Sequence, residues 1–351
     1  YNSLFGYNAG TAITTGDSNS AFGYNALDAN TSGTHNVAVG MHALGGNTTA
    51  AYNTAVGHDA LKTNSTGAEN SALGKNALFA NTTASGNSAV GYDALASSTT
   101  GQFNAALGAY SATTLTTGSY NTAIGKDALR LTTTADNNTS IGYQSLFSNT
   151  TGANNVAVGR ASLFANTTGD NNTAVGKAAL DANTTANHQT AIGYNALSAA
   201  TTGSGCNTAV GDSALALNTT GIYNTAVGQA TLDANTTGGY NSALGRAALS
   251  SNTTGAENTA VGYTSLQANT TGGANTAVGK NSLYSNTTAG SNVAVGWDAM
   301  YANTTGALNV AVGREALQNN TTGNYNTALG YQALEENTTA SNNTAVGQDS
   351  L

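Results

Sequence analysis

The 351-residue sequence has no proline, one cysteine, one tryptophan and only 7% charged residues. Soluble globular domains carry about 25% charge and about 5% proline, so an ordinary enzyme domain is excluded by composition. A single cysteine excludes an intrachain disulfide framework and a cysteine-based zinc site. Nine lysines and arginines against 17 acids leave a formal charge of -8. That excludes the basic footprint of a nucleic-acid binder and supplies no cationic patch for a lipid surface. No apolar run approaches the ~20 residues of a membrane span. Composition is uniform along the chain, so no domain boundary is expected within residues 1–351.

What is abundant is glycine, with 43 copies, and it is periodic. Gly6 to Gly193 recur every 17 residues, and the series resumes from Gly211 to Gly347 after one extra residue in the turn Gly203-Ser204-Gly205-Cys206. The 21 copies share the consensus N-T-A-V-G-x-x-A-L-x-x-N-T-T-G-x-x, with the leading Asn as position 1. Asn224 to Tyr240 is a clean copy. Position 4 is always apolar, position 9 is nearly always Leu, and position 3 is Ala in 19 of 21 copies. Seven of the nine basic residues stand at position 6, so that position faces water.

Seventeen residues are too few for a helix-turn-helix repeat, which needs roughly 34. N-T-A-V-G is a short β-favouring run closed by a turn residue, and N-T-T-G is a second turn signal. The fold predicted is all-β: a parallel β-solenoid of 21 coils, each a strand, a Gly turn, a second strand and a Thr-Thr-Gly turn, forming one continuous array with an irregular coil at 189–206. Stacking puts each residue above its equivalent, so Val and Leu make apolar columns and Asn at positions 1 and 12 makes amide ladders. Proline would delete ladder donors, which accounts for its absence.

Alternation along a strand sends neighbours to opposite faces. With Val at position 4 directed inward, Ala at position 3 points outward, where only a small apolar residue is accepted. Ala38, Ala55, Ala72, Ala89, Ala226, Ala243, Ala260 and Ala277 are therefore expected to pack against another chain. The other expectation is that these alanines line a narrow part of the chain's own interior.

No catalytic set, phosphate loop, metal motif or cofactor site is legible, so no enzyme is expected. His42 and His58 fall on adjacent coils, but two exposed turn residues explain them more simply than a metal site. Fifteen position-12 asparagines are formal N-glycosylation acceptors, among them Asn30, Asn47, Asn64, Asn81, Asn149, Asn166, Asn183, Asn235, Asn252, Asn269, Asn286, Asn303, Asn320 and Asn337. Structural amide ladders are the competing reading, favoured by Ile13 and Leu115 at the same position. O-linked sugars on the Thr pairs stay open. Surface tyrosines at positions 6 and 17 suit a carbohydrate or protein ligand.

N-T-A-V-G-x-x-A, as in Asn224 to Thr231 with Thr at the last position and in Asn326 to Ala333 with Leu329 in place of Val, resembles the head repeat of trimeric autotransporter adhesins and of related phage tail-fibre proteins. Their repeats are usually shorter, and the extra residues here lie in the L-x-x-N-T-T-G half. The resemblance implies a left-handed β-roll, three chains per fibre, and an extracellular or cell-surface stalk or adhesive head. The array begins at position 17 and ends at position 9 without capping repeats, which solenoids normally need. A window of a longer array, or a subunit that stacks end to end, is expected. The resulting expectation is a self-associating structural fibre with an adhesive surface, with a glycan-coated filament of purely structural role as the alternative.

Overall fold

A computed structural model describes residues 1–202 and 205–351. Gly203 and Ser204, in the irregular turn expected from the sequence, lie outside the described residues. The chain forms two compact units, residues 1–172 and 173–351. The first holds ten three-residue strands, from β1 (Ser3–Phe5) through β3 (Val37–Val39) and β4 (Thr54–Val56) to β10 (Val156–Val158). The second holds eleven, from β11 (Thr173–Val175) through β16 (Thr259–Val261) and β17 (Thr276–Val278) to β21 (Thr344–Val346). Among the described residues there is no helix. This is the parallel β-solenoid expected from the repeat, but with one strand per coil where two were expected: positions 6–11 run as turns, because positive φ at positions 7 and 9, as in Ala230 and Leu232, is incompatible with an extended strand.

Within each unit, consecutive strands pair in parallel and in register. Ala38 faces Ala55 across β3 and β4, and Ala260 faces Ala277 across β16 and β17. The ladder continues beyond the strands. Leu27 N–H donates to Ala43 O at 2.9 Å, Thr31 N–H to Thr48 O at 2.8 Å, and His42 N–H to Tyr24 O at 2.9 Å. Each coil thus spends its backbone groups on the coils above and below, as buried backbone requires.

Position 5 turns the chain. Its glycines have φ between 127° and 142°, a region open essentially to Gly alone. A Cβ on Gly228 would also stand 2.6 Å from Gly245 O in the next coil. Position 9 is less expected: Leu27, Leu44 and Leu61 adopt φ of 54°, 51° and 50°. A left-handed conformation costs a β-carbon residue roughly 1–2 kcal/mol. Each of these leucines is fully buried, and burial of a Leu side chain returns roughly 1.5–3 kcal/mol.

The interior of a coil is small. It holds Ala at positions 3 and 8, Leu at 9, Asn at 1 and 12, and Gly or Ala at 15. One large side chain per coil fills it, and the chain conserves that volume. In the coil of Ala112, position 9 is Ala and position 12 is Leu115, both buried. The first coil makes the same exchange, with Gly10 at position 9 and Ile13 at position 12.

Asparagine supplies the polar half of the core. At position 12, Asn47 Nδ2 donates to Asn30 Oδ1 at 3.0 Å and to Ala50 O at 3.1 Å. At position 1, Asn36 Nδ2 donates to the same Ala50 O at 2.8 Å, while Asn36 N–H donates to Asn19 Oδ1 at 3.0 Å. One position-15 carbonyl therefore accepts from two buried amides, using both lone pairs.

Candidate self-association face and surface columns

The strand triplet decides what each surface offers. In β4 the middle residue, Ala55, is fully buried, while Thr54 is exposed and Val56 half-buried. The assignment of faces made from sequence is therefore reversed. Ala38, Ala55, Ala72, Ala89, Ala226, Ala243, Ala260 and Ala277 are all at most 2% exposed and line the chain's own interior. They are not available to another chain. Their small size is set by the narrow coil, in which a buried Leu at position 9 leaves room for a small side chain only.

The outward positions are 2 and 4, and together they form the flat strand face. Position 2 is Ser, Thr, Val or Ala in every coil, and position 4 is Val, Leu, Ile or Phe in every coil. No charged residue occurs at either. In the first unit Phe22, Leu73 and Leu107 are 46%, 50% and 50% exposed, and in the second Leu244 and Leu329 are 51% and 48% exposed. An exposed apolar column of this kind makes the face a candidate interaction surface. Sequence reasoning missed this column, although a signal was present. A close-packed interior tolerates little change of volume, so the position that varies from Val to Phe belongs outside and the size-invariant Ala inside.

The glycosylation candidates fail on the same geometry. Asn30, Asn47, Asn64, Asn81, Asn149, Asn166, Asn183, Asn235, Asn252, Asn269, Asn286, Asn303 and Asn320 are fully buried. In Asn252, for example, Nδ2 donates to Asn235 Oδ1 and to Gly255 O, each at 2.9 Å. Asn337 is half-buried, with Nδ2 on Asn320 Oδ1 at 2.9 Å. The nitrogen that would carry a sugar is committed to the core in the folded chain, so the structural reading of these asparagines holds.

Two other columns carry aromatic and charged groups. At position 6, Lys280 and Arg314 approach the Trp297 ring from adjacent coils at 5.6 and 4.2 Å. At position 17, Tyr223 and Tyr240 stack at 5.1 Å, and at position 10, Tyr284 and Tyr301 stack at 5.1 Å. Between the position-6 and position-10 columns lies a hollow of about 440 Å³, bounded by Arg246, Tyr263, Gln267, Asn281, Tyr284 and Tyr301. Arg246 donates to Tyr263 Oη at 3.1 Å on one of its walls.

The histidines serve local contacts. His42 meets Tyr24 edge-on at 5.6 Å, and His58 Nδ1 lies 3.1 Å from Asp59. Asp59 is also bridged by Lys62 at 3.1 Å. No cluster of three or more His, Cys, Asp or Glu suited to a metal occurs among the described residues. Cys206 is an exposed free thiol. Burial pushes the carboxyls of Asp181 and Asp233 above the usual carboxylate range, partly offset by backbone N–H groups, their own and those of the residues that follow. Both stand at position 10 of the second unit.

Among the described residues no helix is long and apolar enough to cross a membrane. No protein-family model matches the chain, and no curated protein matches it.

Proposed function

We propose that this chain is a structural, non-enzymatic protein that associates with copies of itself into an extracellular or cell-surface fibre. The observation that carries the reading is the apolar column at position 4, unbroken within each unit and exposed or half-buried on a strand face that has no charge in any coil. A partner for such a face must repeat at the strand spacing of about 4.8 Å, and a second copy of the chain does so by construction. Three chains per fibre is the assembly implied by the resemblance to adhesin head repeats. The repeated aromatic and polar columns then supply an adhesive surface for carbohydrate or protein, since many weak contacts on one fibre gain avidity without a strong single site.

Native mass spectrometry tests the assembly. The expected mass is three times 34.7 kDa for this segment. The double substitution Val261→Glu and Val278→Glu is expected to release monomers, because it places stacked charges on the proposed interface. A parent protein that is monomeric at micromolar concentration would sink the self-association reading. Accessibility to antibody on intact cells tests the location.

A further inference from the structure

Twenty of the 21 coils carry two consecutive hydroxyl residues, at positions 13 and 14, and the fold draws on the first. At position 13, Thr236 Oγ1 donates to Thr253 O at 3.0 Å and Thr253 Oγ1 donates to Thr270 O at 3.0 Å. At position 14 the side chain points away from the core. Thr49, Thr66 and Thr83 in the first unit, and Thr237, Thr254 and Thr271 in the second, are exposed. Among the described residues, no position-14 hydroxyl bonds to the protein.

A position free of internal duties should vary. Position 6, also on the surface, takes Tyr, Trp, His, Lys, Arg, Asp, Gln, Met and Ala. Position 14 is Thr in 19 copies and Ser in one, Ser32. Preference for a β-branched shape would admit Val and Ile, which never occur there. Ser32 drops the methyl group and keeps the hydroxyl. The retained feature is thus the hydroxyl itself, which this chain does not use.

We propose that the position-14 threonines are acceptors for O-linked glycosylation. In the step, Thr Oγ1 attacks the anomeric carbon of a sugar activated as a phosphate ester. The new C–O bond forms as the bond to the phosphate breaks, the hydroxyl proton passes to a base of the transferase, and the phosphorylated carrier leaves. A neutral sugar fits better than a phosphoryl group, because phosphates on successive coils would stack like charges about 4.8 Å apart. A row of sugars also hydrates the surface of a chain in which only 7% of residues are charged. Binding to an ice lattice is the less favoured use, because it needs a flat face of several hydroxyl columns. The position-13 hydroxyls are turned onto carbonyls, and a single file remains.

The inference does not depend on self-association, since covalent mass and assembly mass are read separately. Protein isolated from the cells that naturally make it is analysed by denaturing intact-mass measurement and by fragmentation that retains side-chain modifications. Multiple whole-sugar increments are expected on position-14 residues, with none on position-12 Asn or position-13 Thr. The triple variant Thr237→Val, Thr254→Val and Thr271→Val, made in the same cells, is expected to lose the increments of those three sites with an unchanged melting temperature. The matching Ser variant is expected to keep them. An unmodified mass, or sugars placed on position 12 or 13, overturns the proposal. So does inhibition of ice growth by an unmodified chain.

Discussion

Ser98 interrupts the ladder of position-12 amides. Asn81 Oδ1 and Ser98 Oγ are both buried and have no hydrogen-bond partner. Ser98→Asn would give Asn81 Oδ1 its donor and a second donor to Gly101 O, which already accepts from Asn87 at 2.8 Å. One amide oxygen would then face Leu115 unpaired, so two unsatisfied atoms become one. The expected gain is about 1 kcal/mol, read as a higher midpoint in urea. Asp233 offers a second test at this scale. Burial raises its carboxyl in the folded chain, so the folded state holds the proton more tightly than the unfolded state. That contribution is fully present below the ordinary carboxylate value and is lost as pH rises through the raised folded value. Asp233→Asn is therefore expected to melt above the parent at pH 7, and the gap should close towards pH 3. A gap that stays constant with pH would show that ionisation of Asp233 is not its cause.

At the scale of the coil, the two glycine positions look alike in the consensus and differ in mechanism. Position 5 has φ near 136° in Gly228 and a carbonyl of the next coil in its path. Position 15 has no positive φ in Gly238, although a Cβ there would crowd Gly255 O and the side-chain amides of Asn235 and Asn252. Ala50, Ala84 and Ala289 already occupy position 15 and are buried there, so the neighbouring coil yields enough for one methyl group. Gly228→Ala is expected to cost at least about 2 kcal/mol more than Gly238→Ala, measured by thermal or urea unfolding of the two variants. The coil was legible in outline: a 17-residue period, a β-favouring run and two turn signals left few alternatives to a solenoid, although positions 6–11 turn where a second strand was expected. Which strand residues face inward was not. Alternation fixes that positions 3 and 4 oppose each other, and says nothing of which one is inside. The deciding fact is that Leu at position 9, held at positive φ, already fills the interior and leaves room for a small residue, Ala or, beside Leu146, Ser140. Nothing in a propensity argument places Leu at a left-handed position, since its cost is local and the burial that offsets it is tertiary. The asparagine ladders were legible because Ile13 and Leu115 substitute for Asn, which only an inward position allows.

Strands within each unit contact only their immediate neighbours in sequence. In such a stack, stability is a sum of coil terms and nearest-neighbour terms, so damage should stay near its origin. Leu61→Ala removes the one large side chain from its coil, where Leu61 is fully buried. The expected cost is about 2–5 kcal/mol, larger than the surface gain of any single exposed contact in the columns. Amide hydrogen exchange reads how that cost is distributed. Protection is expected to fall in the coils around Leu61, including the amide of Leu78, which donates to Ala94 O at 3.0 Å. Amides of the second unit, such as that of Leu283 donating to Ala299 O at 3.0 Å, should keep the parent's protection. A uniform loss across both units would mean that the array opens in one global step, and nearest-neighbour coupling would then be too strong for coils to behave as separate terms. Local loss would instead explain how a chain with one Leu-sized side chain per coil tolerates the exchanges at Ala112 and Leu115 and at Gly10 and Ile13: each coil balances its own volume, and the repeat carries the correction no further.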